Sequence, residues 1–256
     1  MNVTGIVETL QRDEQINLLR HLVDKLLPTD ETIYTQQSNG RAYRKVAEEQ
    51  IDYEVPKPRT FQDYFKLNLP ADEIGALLGY TYRREALNLN AVNRQAMVTD
   101  AGRVANLIER IQVGLQHVGM SSEMARREFL IAPILLEVIH YTNAQVYVEY
   151  SIKASETLQG SLDYLFKTEQ HLLVVEAKNG DLQRGFHQLM AELAALDLKK
   201  TTDARHLYGI VSMGDGWQFG RLDRQTKTII QDTEFYSVPM NTELLIRIMV
   251  GILQGA

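Results

Sequence analysis

The chain has 256 residues and no cysteine, so it can bury a substantial core without disulfides, and a cysteine-rich structural zinc site is excluded. Its net charge of -6 argues against coating nucleic acid through bulk charge, although a site that gathers carboxylates around a cation is acidic by design. No apolar run approaches the ~20 residues that span a bilayer, and the N-terminus lacks the order of a signal peptide, so the expected setting is the cytoplasm with no membrane partner.

In chain order, residues 1–27 read as an amphipathic helix with Ile6, Leu10, Leu19, Leu22, Val23 and Leu26 on its apolar face, closed by Pro28. Residues 28–60 are polar, with one helix expected from Arg41 to Gln50. Short helices follow at Phe61–Leu67, Ala71–Leu78 and Tyr82–Leu89, then a longer one over 93–118 with Val104, Leu107, Ile108, Ile111 and Leu115 in register. Near residue 120 the character changes. Ser121–Tyr141 is a periodic helix in which Pro133 predicts a kink. Val146–Ile152 and Leu162–Phe166 alternate as strands, and Leu172–Val175 is the continuous apolar run of a strand covered on both faces. A helix over Asp181–Leu198, strands at His206–Ser212, Trp217–Leu222 and Thr228–Glu234, and a terminal helix at 241–253 complete the chain. This order predicts an α/β (α+β) fold: a mixed sheet flanked by helices over 119–256, preceded by a helical region over 1–118. The strand–helix–strand step from 172 to 212 should make its two strands parallel.

Glu176 and Lys178 share one side of a strand while Ala177 faces the other way. If 162–167 and 171–178 pair as a hairpin, Asp163 comes within reach of Glu176. Two carboxylates so close repel each other, and Mg²⁺ or Mn²⁺ would resolve the conflict, binding oxygen ligands at about 2.0–2.1 Å and keeping several waters. A lysine beside the pair can hold a phosphate or an attacking water, whose pKa the cation lowers. An Asp followed by acid-x-Lys arises by chance about once in a chain this long. Taken singly, Asp163 reads as a strand-end turn residue, and Glu176 with Lys178 as an exposed ion pair worth under ~1 kcal/mol. Placement carries the weight: a Gly-Ser turn before Asp163, a buried strand before Glu176, and a helix bearing Gln188 directly after.

On these residues, 120–235 resembles the PD-(D/E)xK, or restriction-endonuclease-like, nuclease superfamily. The segment from Glu176-Ala177-Lys178 to His187-Gln188-Leu189 is especially similar to the nuclease domain of type I restriction R subunits. Tyr208-Gly209-Ile210-Val211, Gly214-Asp215-Gly216 and Trp217-Gln218-Phe219 are similar to that group's next strand pair. The resemblance implies that Asp163, Glu176 and the backbone carbonyl of Ala177 hold Mg²⁺ or Mn²⁺, that Lys178 positions and activates water, and that Gln188 matches the glutamine opening the following helix. Leu162 stands where the name-giving proline would be, a departure many members share.

The family also carries a glutamate on its first core helix. Glu128 falls in line with Met124, Ile131, Leu135 and Val138, and a carboxylate inside an apolar stripe needs a partner. Glu123, a first-turn acid, is the alternative. Arg83-Arg84, Arg126-Arg127 and Lys199-Lys200 with Arg205 read as solvated charge rather than phosphate contacts. His187 reads as structural, and Trp217 and Tyr82 as packing residues. The expectation is a metal-dependent nuclease acting on DNA by a metal-activated water; the alternative is a non-catalytic module that binds nucleic acid or a partner protein. The helix at 1–27 offers a handle for a homo-oligomer.

Overall fold

The computed structural model describes residues 35–38, 41–44, 58, 60–89, 98, 100–169, 171–178 and 180–255. The chain forms two compact units, Met1–Val55 and Pro56–Ala256. In the first, β1 (Thr35–Ser38) pairs antiparallel with β2 (Arg41–Arg44), Ser38 opposite Arg41. The start of the helix expected over 41–50 is therefore a strand. The expected helix at 1–27 and the remainder of 45–50 lie outside the described residues.

In the second unit, an eight-stranded mixed sheet carries β3 (Thr81–Arg84), β4 (Gln145–Ser155), β5 (Leu158–Lys167), β6 (Leu172–Ala177), β7 (His206–Ser212), β8 (Gly216–Asp223) and β9 (Thr228–Gln231) in the order β3-β9-β8-β7-β6-β5-β4, with β10 (Tyr236–Ser237) paired to β8. β6 and β7 are parallel, as the strand–helix–strand step predicted, and β3 is parallel to β9; the remaining pairs are antiparallel. Residues 81–84 are thus a sheet strand and not part of a helix over 82–89. Tyr82 and Arg84 pair with Ile229 and Gln231, partners far along the chain that local periodicity does not reveal. Residues 56–118 lie in the same compact unit as the sheet.

Helices cover both faces. On one lie α1 (Phe61–Lys66), α2 (Ala71–Leu78) and α6 (Leu182–Lys199), whose Phe61, Tyr64, Ile74, Phe186, Leu189 and Leu193 pack with Val174, Val211 and Ile229. Asp181 caps α6, accepting a hydrogen bond from the Arg184 amide at 2.9 Å. Every α6 residue from Gly185 to Asp197 is buried, which is why the helix lacks a clean polar face in sequence. On the other face, α3 (Ala101–His117) sets Val104, Leu107 and Ile111 in one stripe after its Asp100 cap, beside α7 (Thr242–Gln254).

The periodic segment 123–141 is also on this second face, but it is not one regular helix. It runs as α4 (Glu123–Arg126), a π-helical turn (Arg127–Ile131) and α5 (Ala132–Tyr141). Pro133 has no N–H and its ring crowds the carbonyl four residues back, so the predicted kink takes the form of a widened turn. Among the described residues, no helix is long and apolar enough to cross a membrane.

Candidate active site

At the end of β6, alternation turns Glu176 and Lys178 toward α6, while Ala177 packs into the opposite core. Gly185 lets α6 come close there. A Cβ at this position would stand 2.7 Å from Val211 Cγ1 and 3.0 Å from Lys178 Cγ, which real side chains do not tolerate. The close approach lowers Gln188 onto Glu176: the Gln188 amide donates to Glu176 Oε1 at 2.7 Å and to Glu192 Oε1 at 2.9 Å. Lys178 Nζ forms an ion pair with the same Glu176 oxygen and lies over the Phe65 ring.

Asp163 reaches this centre from β5 through a break in the strand. The ladder pairs Val148 with Tyr164 and Tyr150 with Leu162, but leaves Glu149 and Asp163 unpaired, and Glu149 adopts a left-handed φ of +53°. Both strands change face across the break: Leu162 joins the core on the α6 side, Tyr164 and Phe166 the opposite one. The plain alternation expected over Leu162–Phe166 would put Leu162 and Tyr164 on one face; the break puts them on opposite ones. Asp163 Oδ2 accepts the Ala177 amide at 2.8 Å, which ties it across the hairpin to the strand end that carries Glu176.

Electrostatics separate these acids from ordinary surface carboxylates. Burial, then the nearby Asp163, pushes Glu176 up to about 7 against the opposing pull of Lys178. Burial and Glu176 hold Glu192 well above the usual carboxylate range. Burial would lower Lys178, yet Glu176 outweighs it and the ammonium is held above its ordinary value. Glu176 Oε2, Glu192 Oε2 and Gln188 Oε1 are buried without hydrogen-bond partners. A cation suits such orphaned oxygens beside two repelling acids. Among the described residues, no group of three or more His, Cys, Asp or Glu side chains stands in metal-holding geometry, so protein side chains would supply only part of a coordination shell.

The structure thus brings Asp163, Glu176, Ala177, Lys178 and Gln188 together, and adds two residues that sequence reading missed. Glu192 is fully buried, one turn after Gln188; an acid amid an apolar helical run was the available signal. Arg127, from the π turn, lies 5.2 Å from the centre of the Tyr164 ring, donates to Tyr164 Oη at 3.3 Å, and has Nη1 3.7 Å from Asp163 Oδ1. Arg126 is likewise engaged, donating to the Met120 and Met213 carbonyls, so this basic pair is not free solvated charge.

The helix glutamates stand apart. Glu128 is exposed and Glu123 half-buried, and neither forms a hydrogen bond or ion pair through its side chain to Asp163, Glu176 or Lys178. The extra residue in the π turn shifts the register, so Glu128 leaves the stripe of Ile131, Leu135 and Val138 and Arg127 takes the inward place. His187 is buried with neither ring nitrogen bonded, and burial lowers its pKa. Trp217 is core, its indole N–H donating to the Gly214 carbonyl at 2.8 Å. A larger cleft of about 580 Å³ opens beside His140, Thr168 and His171, at the far end of β6 from Lys178. Compared with models of known protein families and with curated protein sequences, the chain matches none.

Proposed function

We propose that the protein is a divalent-metal-dependent nuclease of the restriction-endonuclease-like kind, hydrolysing phosphodiester bonds of DNA. The observation that carries this reading is Glu176: a buried carboxyl with an orphaned oxygen, beside Asp163 and paired with Lys178 at a strand end. Asp163, Glu176 and the Ala177 carbonyl would hold Mg²⁺ or Mn²⁺, which when bound supplies positive charge and lowers the pKa of a bound water. Gln188 fixes the Glu176 carboxylate by donating to Oε1. Lys178, protonated at Nζ, neutralises Glu176 in the resting protein and donates hydrogen bonds to the attacking water or the scissile phosphate. Arg127 is held on Tyr164, with its terminal nitrogens in looser ion pairs, 3.8 Å from Glu149 and 3.7 Å from Asp163, and a phosphate oxygen could take these N–H groups over.

The test is cleavage of DNA in Mg²⁺ or Mn²⁺ by the full chain, with EDTA as control. Lys178→Ala and Asp163→Ala should each reduce cleavage at least ~10²-fold with an unchanged circular dichroism spectrum. Parent-like cleavage by both variants would end the catalytic assignment. One observation favours the second reading, a non-catalytic module binding nucleic acid or a partner protein: Lys178 and Gln188 both engage Glu176 Oε1, so that oxygen is satisfied from within the protein. Metal-independent DNA binding without cleavage would support that reading.

A further inference from the structure

A second cleft lies on the same face of the sheet as Glu176. Glu176 pairs with Val211 and Val211 with Gln218, so Gln218 stands two strands along the same row, about 10 Å away at ~4.8 Å per strand. Lys178, Gln218, Gln231 and Arg84 all lie toward one end of the sheet, where α6 also begins. Here Tyr82, Arg84, Gln183, Gln218, Gln231 and Phe235 line a cleft of about 330 Å³. That volume is at the small end of ligand pockets and suits one planar ring system better than a base pair.

Its floor is a relay of neutral groups, Gln218 and Gln231 buried and Tyr82 half-buried. Gln218 donates to the Asp232 carbonyl at 2.8 Å, Gln231 donates to Gln218 Oε1 at 2.9 Å, and the Tyr82 hydroxyl donates to Gln231 Oε1. These bonds fix both carboxamides and leave each with a further N–H and acceptor capacity. Fixed amides are the groups that read a base edge by paired donor and acceptor. Phe235 is half exposed at the rim over Gly216, where any Cβ would collide with its ring. Arg84 is exposed and forms no ion pair with a described residue.

We infer that this cleft is a subsite for one nucleobase of the strand being cut, and that the substrate is a strand already unpaired at that base. Gln218 and Gln231 bond the base edge, Phe235 covers its face, and Arg84 meets a flanking phosphate. At ~3.4 Å per stacked nucleotide, about 10 Å places this base within roughly three nucleotides of the scissile phosphate. The substrate assignment rests on the nuclease reading above; the pocket itself can be tested without it.

Nucleoside 5′-monophosphates of the four bases, and inorganic phosphate as control, would be titrated calorimetrically into the full chain in metal-free buffer. At least one nucleotide should bind more tightly than phosphate. Phe235→Ala, a change at a half-exposed ring, should weaken it roughly tenfold, and Gln231→Met should alter which base is preferred. Nucleotides binding no better than phosphate, or binding Phe235→Ala as well as the parent, would overturn the inference. In a parallel Mg²⁺ cleavage assay, single-stranded DNA should be cut at least tenfold faster than the matching duplex; equal rates would also overturn it. Nucleotide binding as described with no phosphodiester cleavage would keep the pocket and remove the nuclease reading.

Discussion

Helix α6 carries two buried carboxylates little more than a turn apart, in opposite electrostatic conditions. Asp197 accepts hydrogen bonds from the Tyr80 hydroxyl at 2.6 Å, Arg224 Nε at 2.8 Å and Lys227 Nζ at 2.6 Å. Burial alone would raise its pKa, but Lys227, Tyr80 and Arg224 outweigh it and the group stays below its ordinary range. Glu192 instead faces Glu176 across Gln188; the pair shares one lysine, and each acid keeps an oxygen without a partner. The first arrangement ties α6 to β3 and to the β8–β9 turn. The second keeps buried acid oxygens that no protein group satisfies, the kind of arrangement that more often marks a functional site than a stabilising one.

The largest effect should come from breaking the satisfied centre. Asp197→Ala strips a buried carboxylate from Arg224, Lys227 and Tyr80 and should cost ~3 kcal/mol or more in urea unfolding. Next comes pH. The pKa of Glu176 is raised on folding, so its contribution is fully present below about 4.5, the unfolded value, and is lost as pH rises through about 7. That loss amounts to roughly 3 kcal/mol between pH 4 and 8 in metal-free buffer. Asp197 runs the other way, its contribution failing only as pH falls below the ordinary carboxylate range. Smallest is Glu192→Gln, which keeps the shape and removes one of the two repelling acids. It should raise stability at pH 8 by ~1 kcal/mol and flatten the pH profile, both read from unfolding midpoints. A profile as steep as the parent's would mean that Glu192 does not share the proton of Glu176.

How much of this the sequence carried follows from the range of the forces involved. Glu176, Lys178 and Gln188 were legible because strand alternation and a single crossover helix fix their relative faces. Glu128 misled because helical periodicity assumes 3.6 residues per turn, and the π turn at Arg127–Ile131 breaks that assumption while Pro133 announces only a kink. Glu192 was missed because α6 is buried on every side from Gly185 to Asp197, so its one signal, an acid in an apolar run, has no polar stripe to be read against. Strand β3 was missed because its partner, β9, is nearly at the other end of the chain. The break at Asp163 depends on two strands failing to pair at one rung, a property of neither strand alone.

Whether the unsatisfied centre is a cation site can be seen in a crystal grown or soaked in Mn²⁺ and examined by anomalous scattering. A peak bound by the Asp163 and Glu176 carboxylates is expected, with Lys178 drawn off Glu176 Oε1. A well-ordered site at millimolar Mn²⁺ with no peak there, and with the Lys178–Glu176 ion pair intact, would contradict a cation site.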